Sequence, residues 1–243
     1  MTALITLSHG SRHSEAADGI RALTVAAAKR LGVDAVESHL DFTEPTLSDA
    51  AVALAQAGHS HAIVVPLLFT DAFHAKVDVP HALTQAEEIS GISLSLAATL
   101  GQGDDTARIL ATRVRQDAPA GATVVLYPVG TSDTTGAQAT EDLAQRVGEL
   151  AGFQVRVVPA TGTGDNRGAA GLRAVAEASE NMHLLPLFVT HGTLLDSAVL
   201  TVRELMDDTG VVVTHSAPLL LDLAPLVARR YREAVSSLVS VGR

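Results

Sequence analysis

Short runs of β-branched and other apolar residues alternate along the chain with longer Ala- and Leu-rich stretches, as when strands and helices succeed each other around a parallel sheet. The pattern predicts strands at Leu4–Ser8, Val36–Phe42, Ala62–Leu68 and Ser93–Ala97. Between the first two, Ser14–Leu31 carries Ile20, Leu23, Ala27 and Leu31 on one helical stripe, with Ser14 as its expected cap. Thr46–Ala57 reads as a second helix stopped by Gly58, and Asp104–Arg115 as a helix that finishes a first βαβαβαβ lobe. The segment QDAPAGAT (Gln116–Thr123) has the Pro and Gly of a linker. Two lobes are therefore expected, 1–118 and 119–243.

The second half repeats the first. Strands are predicted at Val124–Tyr127, Gln154–Val158, Met182–Leu187 and Val211–His215, each followed by a helical stretch. HAIVVPLLFTDAFHA (His61–Ala75) aligns with NMHLLPLFVTHGTLL (Asn181–Leu195), placing Pro66 on Pro186, Leu67 on Leu187 and Thr70 on Thr190. SHGSR (Ser8–Arg12) falls on PVGTS (Pro128–Ser132). The duplication fails where chemistry would sit, because His9 aligns with Val129 and His74 with Leu194. The expected fold is α/β: two similar lobes, each a parallel four-stranded sheet flanked by helices, with a cleft between them and the chemistry in the first.

Composition narrows the chemistry. Of 243 residues, 47% are hydrophobic and 18% charged, enough to bury two cores built from Leu, Val, Ile and Ala, since Trp is absent. The absence of cysteine removes disulfides, thiolate metal sites, iron–sulfur clusters and cysteine nucleophiles, so any metal must be held by His, Asp or Glu. A net charge of -10 argues against nucleic-acid partners, which need clustered Lys and Arg. No apolar stretch is long enough to span a bilayer, and MTALITLSHG lacks a basic leader region. The expectation is a cytoplasmic protein with no membrane partner.

In a parallel α/β sheet, ligands bind beyond the carboxyl ends of the strands, which sorts the histidines. His9 follows the first strand, where Gly10 lets the backbone turn, and His74 lies in the loop after the third. Glu44 follows the second strand in DFTEPTL. Two imidazoles and a carboxylate suit a borderline divalent ion and leave positions open for exchange. His59, His61 and His183 precede their strands and are expected to be solvent-facing or structural. His39 lies within a strand as a candidate core residue, His13 belongs near the first helix turn, and His191 and His215 are secondary candidates in the second lobe. The Gly-rich TGTGDNRG (Thr161–Gly168) lacks a nucleotide-binding pattern and reads as a plain loop.

Together, SHGSR (Ser8–Arg12), EPTL (Glu44–Leu47) and VPLLFTDAFHAKVDVP (Val65–Pro80) resemble the class II tetrapyrrole chelatases, the sirohydrochlorin cobalto- and ferrochelatases. The third motif is the most specific, and long members of the family are two fused copies of a short ancestral chelatase. The resemblance implies a tetrapyrrole substrate bound between lobes and insertion of Fe²⁺ or Co²⁺ as the second substrate, with no organic cofactor. The family's metal-binding histidines map onto His9 and His74, and its acidic residue onto Glu44, as ligand or proton acceptor. Gly10, Ser11, Arg12 and Lys76 flank the histidines and are candidates for binding the carboxylates of the macrocycle. A duplicated chain supplies its own pseudo-twofold, so a monomer is expected. Phosphoryl transfer through His9 is disfavoured, because histidine phosphatases place Arg immediately before the histidine and this chain has Ser8. A metal or tetrapyrrole carrier that uses the same histidines without turnover is the alternative.

Overall fold

The apolar runs form strands and the Ala-rich stretches form helices in a computed structural model, which describes residues 2–70, 79–162 and 164–241. The chain divides into two units, Met1–Gly101 with Leu220–Arg243, and Gln102–Leu219.

The first unit contains β1 (Ala3–Ser8), α1 (Ala16–Leu31), β2 (Ala35–His39), α2 (Leu47–Gln56), β3 (His61–Pro66), α3 (Val79–Ser90) and β4 (Ser93–Leu96). Its strands are all parallel, in the order β2-β1-β3-β4. Both faces of the central strand are covered, so β1 is buried at every residue. Ala3, Ile5 and Leu7 pack toward Leu47, Ala50 and Leu54 of α2. On the other face Thr6 donates to Thr24 of α1, whose hydroxyl in turn donates to the Ile20 carbonyl 2.8 Å away.

The second unit contains α4 (Asp104–Asp117), β5 (Thr123–Pro128), α5 (Thr134–Ala151), β6 (Val155–Val157), α6 (Gly168–Glu177), β7 (Asn181–Leu187), α7 (Thr193–Thr209) and β8 (Val212–His215). Its strand order, β6-β5-β7-β8, again all parallel, repeats that of the first. The repeat extends to single hydrogen bonds beyond the strands. Leu40 N–H donates to the Ser8 carbonyl and Asp41 N–H to that of His9 (2.9 and 3.0 Å); Ala160 donates to Pro128 and Thr161 to Val129 (2.8 and 2.9 Å). The duplication expected from sequence is thus seen in topology and in register.

The boundary expected at 118/119 falls inside the second unit. Helix α4 follows the first four strands, yet Thr106, Ala107, Leu110, Ala111 and Val114 are buried in the second unit, where Arg115 donates to the Leu150 carbonyl at 2.9 Å. The first unit is completed instead by α8 (Ala224–Val241), entered through a 3-10 turn at Leu220–Leu223. There Arg230 donates to the carbonyls of Thr99 and Leu100 at 2.7 and 2.6 Å, and the Tyr231 hydroxyl to that of Thr2. The helical period marks an apolar stripe but not which sheet will cover it, and here each of these helices serves the unit whose strands it does not follow.

Two smaller expectations also change. Ser14 is not a cap: α1 begins at Ala16 after Glu15, without a side-chain cap bond. Strand β2 stops at His39 rather than Phe42, because the chain turns through Phe42 at φ 60°.

Candidate metal and substrate site

The loop after β1 brings together four of the sequence candidates. Gly10 has φ 92°, and a Cβ there would lie 1.7 Å from the Asp41 carbonyl oxygen. Only glycine lets the two loops approach this closely, and the bonds Leu40 to Ser8 and Asp41 to His9 depend on that approach. Next in the loop, Ser11 N–H donates to the Thr43 hydroxyl at 3.2 Å, and that hydroxyl donates to the Ser11 carbonyl at 2.8 Å. Ser11 Oγ accepts from His13 N–H, and His13 Nδ1 accepts from Glu15 N–H, both at 3.1 Å. His13 therefore organises the turn into α1.

The β2 side is equally tied. Asp41 Oδ1 accepts from Phe42 N–H at 2.9 Å, and the Asp41 carbonyl from Thr43 N–H at 2.7 Å. Phe42 meets the His9 ring edge to face, with centroids 5.9 Å apart, while the Arg12 guanidinium lies over the Phe42 ring 4.8 Å from its centre. Glu44 is exposed immediately after this loop. Thr46 caps α2 in a reciprocal box: its hydroxyl accepts from Asp49 N–H, and Asp49 accepts from Thr46 N–H. The Asp49 carboxylate accepts from the Thr46 hydroxyl at 2.6 Å and from the Thr46 N–H at 2.9 Å, and these two bonds hold it below its ordinary range.

Beneath the loop sits a histidine the sequence marked only as a possible core residue. His39 is buried beside Ser8, with Nδ1 2.7 Å from the Ser8 hydroxyl, and Nε2 has no hydrogen-bond partner among the described residues. Burial lowers its pKa; the charge of Glu37 opposes that shift and Arg21 adds to it. A neutral imidazole follows.

His74 and Lys76 lie at 71–78, outside the described residues. Among the described residues no group of three or more His, Asp or Glu side chains is arranged to hold a metal ion. What the structure brings together is His9, Gly10, Ser11 and Arg12, locked against Asp41, Phe42 and Thr43 just ahead of Glu44. Phe42 escaped the sequence reading because its expected place was the end of a strand. The available signal was an aromatic among only 5 Phe and 2 Tyr, two residues before Glu44.

His59 and His61 serve structure, and His183, His191 and His215 lie in the second unit. His59 Nε2 pairs with Asp34 at 2.9 Å, and His61 Nε2 is 3.0 Å from Ser95 Oγ. His183 is within β7 rather than before it, and fully buried. Ser216 Oγ donates to Asp117 at 2.7 Å, so it accepts from His183 Nε2–H at 3.0 Å, and Nδ1 accepts from Thr214 at 2.7 Å. Burial drives this imidazole down to about 4, against the pull of Asp117 and with a contribution from His215. His215 is exposed at the end of β8 and His191 is half-buried. The Thr161–Gly168 stretch is a loop leading into α6, with residue 163 outside the described set. Among the described residues, no helix is long and apolar enough to cross a membrane.

Comparison with known proteins places these motifs. The CbiX family model matches residues 3–117. The sirohydrochlorin cobaltochelatase of Sulfurisphaera tokodaii is 36% identical over 117 residues, covering 48% of this chain and 93% of that protein. The sirohydrochlorin ferrochelatase of Bacillus subtilis is 29% identical over 135 residues, 54% of this chain and 52% of its own length. Among solved structures, SirB from Bacillus subtilis with Fe³⁺ shares the fold with a TM-score of 0.82 at 23% identity, covering 98% of this chain and 97% of that one.

Proposed function

The chain belongs to the CbiX family of sirohydrochlorin chelatases, and we propose that it inserts Fe²⁺ or Co²⁺ into sirohydrochlorin. The observation that carries this reading is the His9 loop. An imidazole is delivered at the carboxyl end of the central strand, in the segment matched by the family, by a backbone locked through Gly10 to the loop that precedes Glu44.

The reaction exchanges two pyrrole N–H protons for one divalent ion, so it needs groups that hold the ion loosely, take up protons and keep the ring in place. His9 and His74 hold the incoming metal through neutral imidazole nitrogens, with Glu44 as third ligand or proton acceptor. A site short of a saturated cage can release the ion to the macrocycle. Ser11, Arg12 and Lys76 bind the peripheral carboxylates of the tetrapyrrole, Arg12 as the planar donor best matched to them. No organic cofactor takes part.

The test is an anaerobic absorbance assay with sirohydrochlorin and Fe²⁺ or Co²⁺, run on the wild type beside a His9→Ala, His74→Ala double variant. The expected result is rapid spectral conversion by the wild type and only background conversion by the variant. Equal rates in the two proteins, or none above background with either metal, would overturn the reading; metal binding without conversion would identify a carrier instead.

A further inference from the structure

We propose that Phe42 is a positioning residue that clamps His9 and Arg12 in their working orientations; this rests on the chelatase reading and adds a residue to it. Phe42 has φ 60°, in the left-handed region that a bulky L-residue rarely enters. Such strain persists only where the surroundings enforce it, and it clusters at functional sites. Here the enforcement is visible. Asp41 accepts from Phe42 N–H through its side chain and from Thr43 N–H through its carbonyl, Asp41 N–H is held by His9, and Thr43 is held in both directions by Ser11.

The strain does not serve a core, because Phe42 is 51% exposed. Its ring meets the edge of one candidate functional side chain and the cation of another: His9 at 5.9 Å between centroids, Arg12 at 4.8 Å from the ring centre. Arg12 has no carboxylate partner among the described residues, so the aromatic face is what locates its guanidinium.

The duplicated unit supplies an internal control. Matching the bond from Asp41 to His9 with the bond from Thr161 to Val129 sets Gly162 on Phe42 and Ser132 on Arg12. Gly162 has φ 124°, which glycine adopts freely. The fold therefore accepts glycine at this turn. The copy that retains the histidine carries a strained aromatic there, and the copy that has lost it carries none.

The test uses the full-length protein with Phe42→Gly and Phe42→Tyr, and Phe42→Asn as a second non-aromatic variant that tolerates the left-handed backbone. Melting is followed by circular dichroism, Co²⁺ binding by visible titration, and chelation by the anaerobic assay. Phe42→Gly and Phe42→Asn should melt no lower than the wild type, yet bind Co²⁺ several-fold more weakly and turn over about tenfold more slowly, the scale of a lost aromatic pair and cation–π contact. Phe42→Tyr should recover most of both losses. In a His9→Ala background, Phe42→Gly should add little further loss of Co²⁺ affinity. Wild-type Co²⁺ affinity in both non-aromatic variants, or an equal fractional loss with and without His9, would overturn the clamp. A wild type that binds Co²⁺ without turnover would sink the chelatase reading alone, because the Co²⁺ titrations still decide on Phe42.

Discussion

Gly10 and Gly130 allow the proposed site to be separated from the scaffold by one methyl group placed twice. Gly10→Ala puts a Cβ 1.7 Å from the Asp41 carbonyl oxygen, and Gly130→Ala puts one 2.3 Å from that of Thr161, at φ 92° and 100°. Both obstacles are backbone atoms, so no rotamer change relieves either. In each unit the paired loops must part, giving up two backbone hydrogen bonds worth roughly 1 kcal/mol apiece. Holding an L-residue in the left-handed region adds about 1 to 2 kcal/mol. Each variant should thus lose about 3 to 4 kcal/mol, a substantial part of the roughly 5 to 15 kcal/mol typical of a domain. The assay is urea unfolding for stability, then chelation per folded molecule at a temperature where both variants remain native. Comparable destabilisation is expected, with activity lost in Gly10→Ala, which displaces the His9 loop, and retained in Gly130→Ala. A loss under about 1 kcal/mol for Gly10→Ala would refute the steric reasoning. Equal loss of specific activity in the two variants would refute the placement of the chemistry in the first unit.

Two further outcomes are expected. His183 is held neutral with its pKa near 4, against 6.5 when exposed, in a shell that includes Asp117 and His215. The unfolded chain binds the extra proton between those values, so this contribution is complete above pH 6.5 and is lost as pH falls toward 4, at about 1.4 kcal/mol per pH unit. Urea unfolding across that range should show the slope in the wild type and a flatter profile in His183→Gln; parallel profiles would contradict it. The internal duplication also leads us to propose a monomer, which light scattering should report as a single 25.1 kDa chain, against twice that mass if the reading is wrong.

The strand pattern, the duplication and the position of His9 were legible in the sequence because each follows from local periodicity or from alignment of the chain with itself. The allocation of α4 and α8 was not, because the amphipathic stripe of Leu110 and Val114 would suit either sheet. Nor was the burial of His183, whose ring is satisfied by the Thr214 and Ser216 hydroxyls that follow from the pairing of β7 with β8. Phe42 was hidden for a related reason. An alternating apolar run reads as strand until a backbone torsion ends it, and a left-handed phenylalanine has no propensity signature. His74 and Lys76 lie outside the described residues, so their roles rest on sequence motif alone.

The allocation of those helices bears on how the protein can be made. A ribosome releases all four strands of the first sheet early, but the helix that caps Thr99, Leu100 and Thr2 is synthesised only after every element of the second unit. The nascent first unit must therefore wait, with part of its apolar surface uncovered, while the whole of the second is translated. For the same reason, cutting the gene at the linker would yield no independent half: one product would carry a helix with no sheet to cover, and the other would carry the helix its partner lacks.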